Sequence, residues 1–159
     1  MNKTIIYLLL LLCIGTLSSC NDESFYISTI DMKRNFWHRG DTATFDVQIE
    51  DTTSRYDITL LLRSNESYPW TNIYVISSIC DSVTVLDKDT TQCHLFDISG
   101  RPTGNGLSNV KENIIPLWED YSFHSIGKHT INISHGMRNI ELPGISSVTL
   151  RIVENDTIR

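Results

Sequence analysis

The sequence predicts an all-β protein, an antiparallel β-sandwich of jelly-roll-like winding, carried behind a cleavable export leader. Three observations point there. Apolar residues recur at every second position, most plainly Phe45, Val47 and Ile49 against Thr44, Asp46 and Gln48, the spacing of a strand with one face buried. Clusters of Asp, Ser, Thr, Gly and Pro break the chain at short intervals. No stretch beyond the leader sustains the apolar period of a helix. Roughly eight or nine short strands of this kind fit a sandwich better than a closed barrel, the second arrangement they permit.

The elements follow from the N-terminus. Lys3 gives a positive start, Ile5 to Leu12 form an apolar run, and Leu17-Ser18-Ser19 close it with small residues ahead of Cys20. That order makes residues 1–19 a secretory signal peptide. Its apolar stretch falls short of the roughly 20 residues that span a bilayer as a helix. Leu17-Ser18-Ser19-Cys20 resembles a bacterial lipobox, and the resemblance implies a lipoprotein signal peptide, cleavage before Cys20, a diacylated thioether on its sulfur and subsequent N-acylation. Residues 20–24 then make a polar tether, 25–153 a single β-sandwich domain, and 154–159 a frayed tail.

Within the domain, Phe25 to Ile30 is the first strand. Thr44 to Ile49 and Tyr56 to Leu62 alternate in the same way, and the Asp51-Thr52-Thr53-Ser54 turn between them predicts a hairpin over 44–63. Asn72 to Ile79 is rich in β-branched residues. Val83 to Val85 and Gln92 to Ile98 complete a central β region, with Asp87 and Asp89 read as turn residues. Ser99 to Asn109, with Gly100, Pro102, Gly104 and Gly106, is a long loop. Ile114 to Trp118 is a short strand, followed by a helical turn over Trp118 to Phe123. His129 to Ser134 and Ser147 to Val153 are the last strands, joined by a loop holding Met137-Arg138 and Pro143-Gly144.

Cleavage removes Lys3 alone among the charged residues, leaving 12 basic and 19 acidic side chains, a formal charge of −7. That balance opposes nucleic acid and argues against a basic patch for anionic lipid. Membrane contact therefore falls to the lipid on Cys20, since two or three acyl chains hold firmly at about 0.8 kcal/mol per buried methylene. Cys80 and Cys93 remain for an oxidising compartment. A hairpin centred near Leu86-Asp87 sets them opposite one another for a disulfide; otherwise they are two buried thiols filling apolar space.

The search for chemistry returns little. No nucleophile elbow, paired zinc histidines or phosphate-binding glycine loop occurs, and Gly104-Asn105-Gly106 reads as a turn. Glu119 and Asp120 are adjacent, so on a strand they face opposite ways and cannot flank one glycosidic bond. His129 and His135 share a strand face roughly 20 Å apart, too far for one ion, and Asp81, Asp87 and Asp89 read as solvated turn acids. No metal, no cofactor and no catalytic residue is expected. Trp37, Trp70 and Trp118 either pack in the core or line a sugar-binding face, with Trp37 the best exposed candidate because Asn35 to Gly40 reads as a loop. Asp followed by Ser or Thr and then a small or aliphatic residue occurs at Thr42, Thr52, Ser82, Thr90 and Thr157, against about one occurrence expected from composition. The pattern resembles the O-glycosylation acceptor of Bacteroidota envelope proteins, and Asp-Thr and Asp-Ser also make good turns.

Several segments in order carry a wider resemblance. They are Tyr68-Pro69-Trp70-Thr71-Asn72-Ile73-Tyr74-Val75, then Asp89-Thr90 leading to Leu95-Phe96-Asp97 and Ser99-Gly100, then Gly127-Lys128-His129-Thr130-Ile131 through His135-Gly136-Met137-Arg138, and finally Leu142-Pro143-Gly144-Ile145 with Val148. Together with the lipobox they resemble the gliding-motility lipoproteins of the GldH type in Bacteroidota. The resemblance implies a lipid-anchored envelope protein, at the outer membrane and facing the periplasm or the cell surface, whose partners are other proteins of the gliding and type IX secretion machinery. It transfers no catalytic residue. Met137 and Arg138 are candidate contacts, or Arg138 supplies a donor for the free carbonyls of its turn. The sequence thus predicts a non-enzymatic docking protein, with a surface glycan-binding module as the alternative.

Overall fold

The computed structural model describes residues 24–106 and 109–155; the leader, Cys20, most of the tether and Thr157 lie outside them. Among the described residues are ten strands: β1 (Ser24–Asp31), β2 (Phe36–His38), β3 (Ala43–Ile49), β4 (Arg55–Asn65), β5 (Asn72–Cys80), β6 (Val85–His94), β7 (Val110–Tyr121), β8 (Gly127–His135), β9 (Glu141–Pro143) and β10 (Ile145–Asn155). Two four-stranded sheets run β1-β10-β4-β7 and β3-β8-β5-β6, and β2 pairs with β9 in a separate ribbon.

The antiparallel pairs are nested. β1 joins β10, β2 joins β9, β3 joins β8, β4 joins β7 and β5 joins β6. The domain is therefore one long hairpin with its tip at 81–84, rolled so that β10 also meets β4 and β8 also meets β5. This is the winding of a jelly roll. It follows from alternation: β3 buries every second residue from Ala43 to Ile49, and β4 buries Tyr56, Ile58, Leu60 and Leu62. Each sheet turns one apolar face inward, where Phe45, Ile58, Leu60, Ile73, Ile131, Val148 and Leu150 form a shared core. Each such side chain contributes about 1.5–3 kcal/mol on burial.

Register fixes the two ends. Ser24, Asn155, Arg55 and Tyr121 lie at the end where the tether enters, with the loops 50–54, 81–84 and 122–126. The far end holds Asp31, Asn65, Asn72 and His94, the long loop after β6, and the β2–β9 ribbon.

Five expectations are corrected. Residues 44–63 do not form a hairpin, because β3 and β4 enter different sheets and 50–54 crosses between them. The stretch 83–98 is not two strands around Asp87; β6 is one edge strand, polar because it only partly covers the core. The tight turn lies earlier, where the Asp81 carboxylate accepts the N–H groups of Val83 and Thr84. Consequently Cys80 stands opposite Val85 and Cys93 opposite Ile73, roughly 23 Å apart along the hairpin. A bridge needs Cα atoms within about 7 Å, so the expected Cys80–Cys93 disulfide does not form and both are free thiols. Trp118 to Tyr121 continues β7 through a bulge, with Asp120 at φ 53, rather than starting a helical turn. Glu154 and Asn155 belong to β10: Ser54 donates to the Glu154 carboxylate and Asn155 donates to Asp57.

Candidate functional site

The far-end corner is built from two short strands. Beyond β1 the chain makes a 3-10 turn at Lys33–Asn35, in which Arg34 (φ 57) and Asn35 (φ 58) both take left-handed conformations. Such a conformation is rare for a residue like arginine. Gly144 N–H donates to the Asn35 carbonyl at 2.8 Å and closes the turn against β9. β2 then pairs Phe36 with Pro143, Trp37 with Leu142 and His38 with Glu141.

Alternation along β2 turns Trp37 inward, and it is 0% exposed. Its indole N–H donates to the Asp41 carbonyl at 2.8 Å, and its ring meets His135 edge-on at 5.5 Å. The expectation of an exposed Trp37 on a loop is corrected, and a glycan-binding face centred on it loses its anchor. Trp70 packs against Tyr68 and Trp118 against Tyr121, both half-buried. His135 is buried too, and its pKa is lowered by burial first and by the charge of Arg39 second. Its ring nitrogens make no well-formed hydrogen bond among the described residues, only approaches to the backbone of Ile140 and Trp37.

The turn after β8 does need a side-chain donor, and Arg39 supplies it rather than Arg138. The Arg39 guanidinium donates to the carbonyl of Met137 at 2.6 Å and to that of Arg138, and its backbone N–H donates to Ile140 at 2.7 Å. Met137 folds back so that its sulfur accepts from the Tyr74 N–H at 3.4 Å. The Arg138 side chain is exposed. Sequence reasoning passed over Lys33, Arg34 and Arg39. The available signal was density: Lys33-Arg34 and His38-Arg39 crowd basic residues into one stretch of an acidic chain.

Phe36 and Ile140 stand on the same corner, 44% and 61% exposed. A cavity of about 340 Å³ is lined by Lys33, Arg34, Phe36, His38, Asp41 and Glu141. A larger concavity of about 620 Å³ lies near the start of β7, where Arg63 and Glu112 form an ion pair at 2.8 Å.

The other residues singled out lie apart from this corner. His129 is buried, held by Gly127 and Ser125 and met edge-on by Phe123. No group of three or more His, Cys, Asp or Glu side chains suited to a metal occurs among the described residues. Thr42 and Ser82 are exposed, Thr52 is half-buried, and Thr90 lies within edge strand β6. The aspartates before three of them act locally: Asp51, Asp81 and Asp89 accept from Thr53, Val83 and Thr90. The Thr53 contact holds the Asp51 carboxyl below the usual range, and the N–H groups of Thr84 and then Val83 do the same for Asp81.

The quoted motifs acquire physical roles. Asp97 accepts from Ser99 and Arg101, which holds its carboxyl down to about 2 and shapes the turn at Gly100. Gly144 packs on the backbone of Tyr68, so the Tyr68-Pro69 and Pro143-Gly144 segments touch. A family model for the GldH lipoprotein matches residues 24–152, from the first strand nearly to the end of the last. The chain belongs to the GldH lipoprotein family. Its curated relatives in that family include a gliding motility lipoprotein GldH from Flavobacterium johnsoniae, 30% identical over 155 residues, covering 93% of this chain and 96% of the relative. A GldH homolog from Christiangramia forsetii is 27% identical over 146 residues, covering 87% and 89%. Among solved structures, a family GH115 4-O-methyl-alpha-glucuronidase with specificity for decorated arabinogalactans superposes with a TM-score of 0.43 at 15% identity, over 81% of this chain and 14% of that one. At that score the likeness assigns neither fold nor activity. Within the GldH family frame, the latched corner lies inside the matched span.

Proposed function

We propose that this GldH-family chain is held at the outer membrane by acyl chains on Cys20 and serves, without catalysis of its own, as a docking component of the gliding-motility and type IX secretion machinery. The observation that carries this reading is a lipobox cysteine placed four residues before a domain that matches the GldH lipoprotein family from Ser24 onward. So short a tether spans at most about 14 Å, which seats one end of the sandwich at the bilayer. No helix among the described residues is long and apolar enough to cross a membrane. The names of the curated relatives support the link to motility. Thr42, Thr52, Ser82, Thr90 and Thr157 are proposed O-glycan acceptors; an intact mass explained by lipid alone would end that part.

The test is fatty-acid labelling in the native host. Wild-type protein is expected in the membrane fraction with label, and Cys20→Ala in the aqueous fraction without it. A deletion strain is expected to lose surface spreading or secretion of cargo. Unlabelled wild-type protein, or a deletion with neither defect, overturns the reading. Protease shaving of whole cells separates a surface-facing from a periplasmic domain.

A further inference from the structure

The two ends of the sandwich differ in charge. At the tether end, loops carry Glu50, Asp51 and Asp81, and Glu119, Asp120 and Glu154 sit on the adjoining strand ends. The nearby cations Arg55 and Lys128 are held by Asp120 and Asp46 at 3.9 and 2.8 Å. At the far end Lys33, Arg34, Arg39 and Arg138 surround β2 and β9, and among the described residues none of them has a carboxylate within 4.0 Å. Four of the twelve basic residues of a mature chain charged −7 are thus gathered without an ion pair, outnumbering the carboxylates of Asp31, Asp41 and Glu141 beside them. Arg34 is held there in a left-handed conformation. Arg39 meets only carbonyl oxygens, which orient its guanidinium and leave its charge in place. Between these cations stand the exposed Phe36 and Ile140. Arginine beside an aromatic anchor is the usual composition of a protein-binding hot spot.

The geometry points to this corner as the docking surface for an acidic segment of a partner protein, which seats an apolar side chain on Phe36 and Ile140 and its carboxylates on Lys33, Arg34 and Arg138. Charge complementarity selects the occupant. The chain's own bilayer is out of reach: eleven-residue β4 separates the two ends by roughly 36 Å, against a screening length of about 8 Å. A long uniform polyanion meets the whole charge of −7, whereas a short acidic segment meets the local field alone. The orientation of the corner, away from the membrane, rests on the anchoring reading above; the recognition chemistry does not.

Full-length lipidated protein in nonionic detergent is titrated, by fluorescence anisotropy, with a short labelled oligoglutamate peptide carrying one phenylalanine. Saturable, salt-sensitive binding is expected, weakened by about tenfold or more in Lys33→Glu/Arg34→Glu and in Arg138→Glu, and unchanged in Lys88→Glu on β6. Thermal unfolding checks each variant, and Arg138→Gln, at an exposed side chain, replaces any that does not fold. Absent binding, binding unmoved by the corner variants, or an equal loss in Lys88→Glu overturns the proposal. So does preferential capture of phosphatidylglycerol vesicles by the same residues. Failure here with fatty acid present on Cys20 sinks the corner alone; peptide binding by an unlabelled chain sinks the anchor alone.

Discussion

Gly144 takes φ 82, and a Cβ at this position would lie 2.4 Å from the Tyr68 amide nitrogen and 2.8 Å from the Ser67 carbonyl carbon. Both neighbours are backbone, so relief requires the Ser67–Tyr68 turn to move. Gly144→Ala is expected to lose about 2–4 kcal/mol in urea unfolding. Gly100, also left-handed at φ 78 but with nothing within 4 Å, is the control: Gly100→Ala should lose only about 1 kcal/mol. Equal losses would mean that conformation alone matters. His135 makes a second prediction at this scale. Its folded pKa lies below the ordinary 6.5, so below that pH the unfolded chain takes up a proton that the buried ring refuses. Stability from this group is complete above pH 6.5 and declines as pH falls toward the folded pKa. Acid loss from Asp97, held down to about 2, begins only below its ordinary 3.8, which separates the two windows. His135→Phe should flatten the decline near neutrality, and an unchanged slope would assign it elsewhere. The sequence put His129 and His135 on one face, as the structure has them. Trp37 packs in the core, one of the two readings its sequence allows, and the loop reading of Asn35 to Gly40 fails because the strand there is three residues long, too short for alternation to show.

At the scale of elements, alternation and β-branched runs locate seven of the ten strands among the described residues but not their partners. Alternation reports which face of a strand is buried. β3 and β4 bury alternate residues toward one core from opposite sheets, so a crossing link of five residues looks the same as a hairpin loop. Edge strand β6 has polar residues on both faces, so its middle reads as a turn between two shorter strands. The misplaced turn created the disulfide expectation, and the corrected register makes a firm prediction. Mature lipidated protein should titrate two thiols per chain when denatured without reductant, with Cys93 the less reactive in the native state because burial raises its pKa. Reductant should leave the unfolding midpoint where it was; a chain with no free thiol would contradict the register. The β2–β9 latch makes another. Arg39→Ala frees two carbonyls of the 137–138 turn, which should cost about 1 kcal/mol and speed tryptic cleavage after Arg138. An unchanged cleavage rate would show that the turn holds itself.

Over the whole molecule, the nesting of five antiparallel pairs sets an order of assembly. β5 and β6 are joined by a tight turn capped by Asp81, whereas β1 and β10 are separated by nearly the whole domain. Closing a long loop first is entropically unfavourable, and each inner pair shortens the loop the next must close. Pairing should therefore proceed outward from the 81–84 tip, and the many non-local pairs should make folding slow, in about milliseconds to seconds. Paired conservative substitutions test this. Ile79 on β5 and Ile152 on β10 are both fully buried, so Ile→Val at either should cost a comparable 0.5–1.5 kcal/mol or so. If assembly starts at the tip, Ile79→Val slows refolding and leaves unfolding nearly untouched, while Ile152→Val speeds unfolding and barely alters refolding. The reverse pattern would mean that the terminal strands meet first. Tip-first assembly leaves the tether-bearing strand β1 until last, so an acyl anchor at Cys20 would not hold back formation of the core it carries.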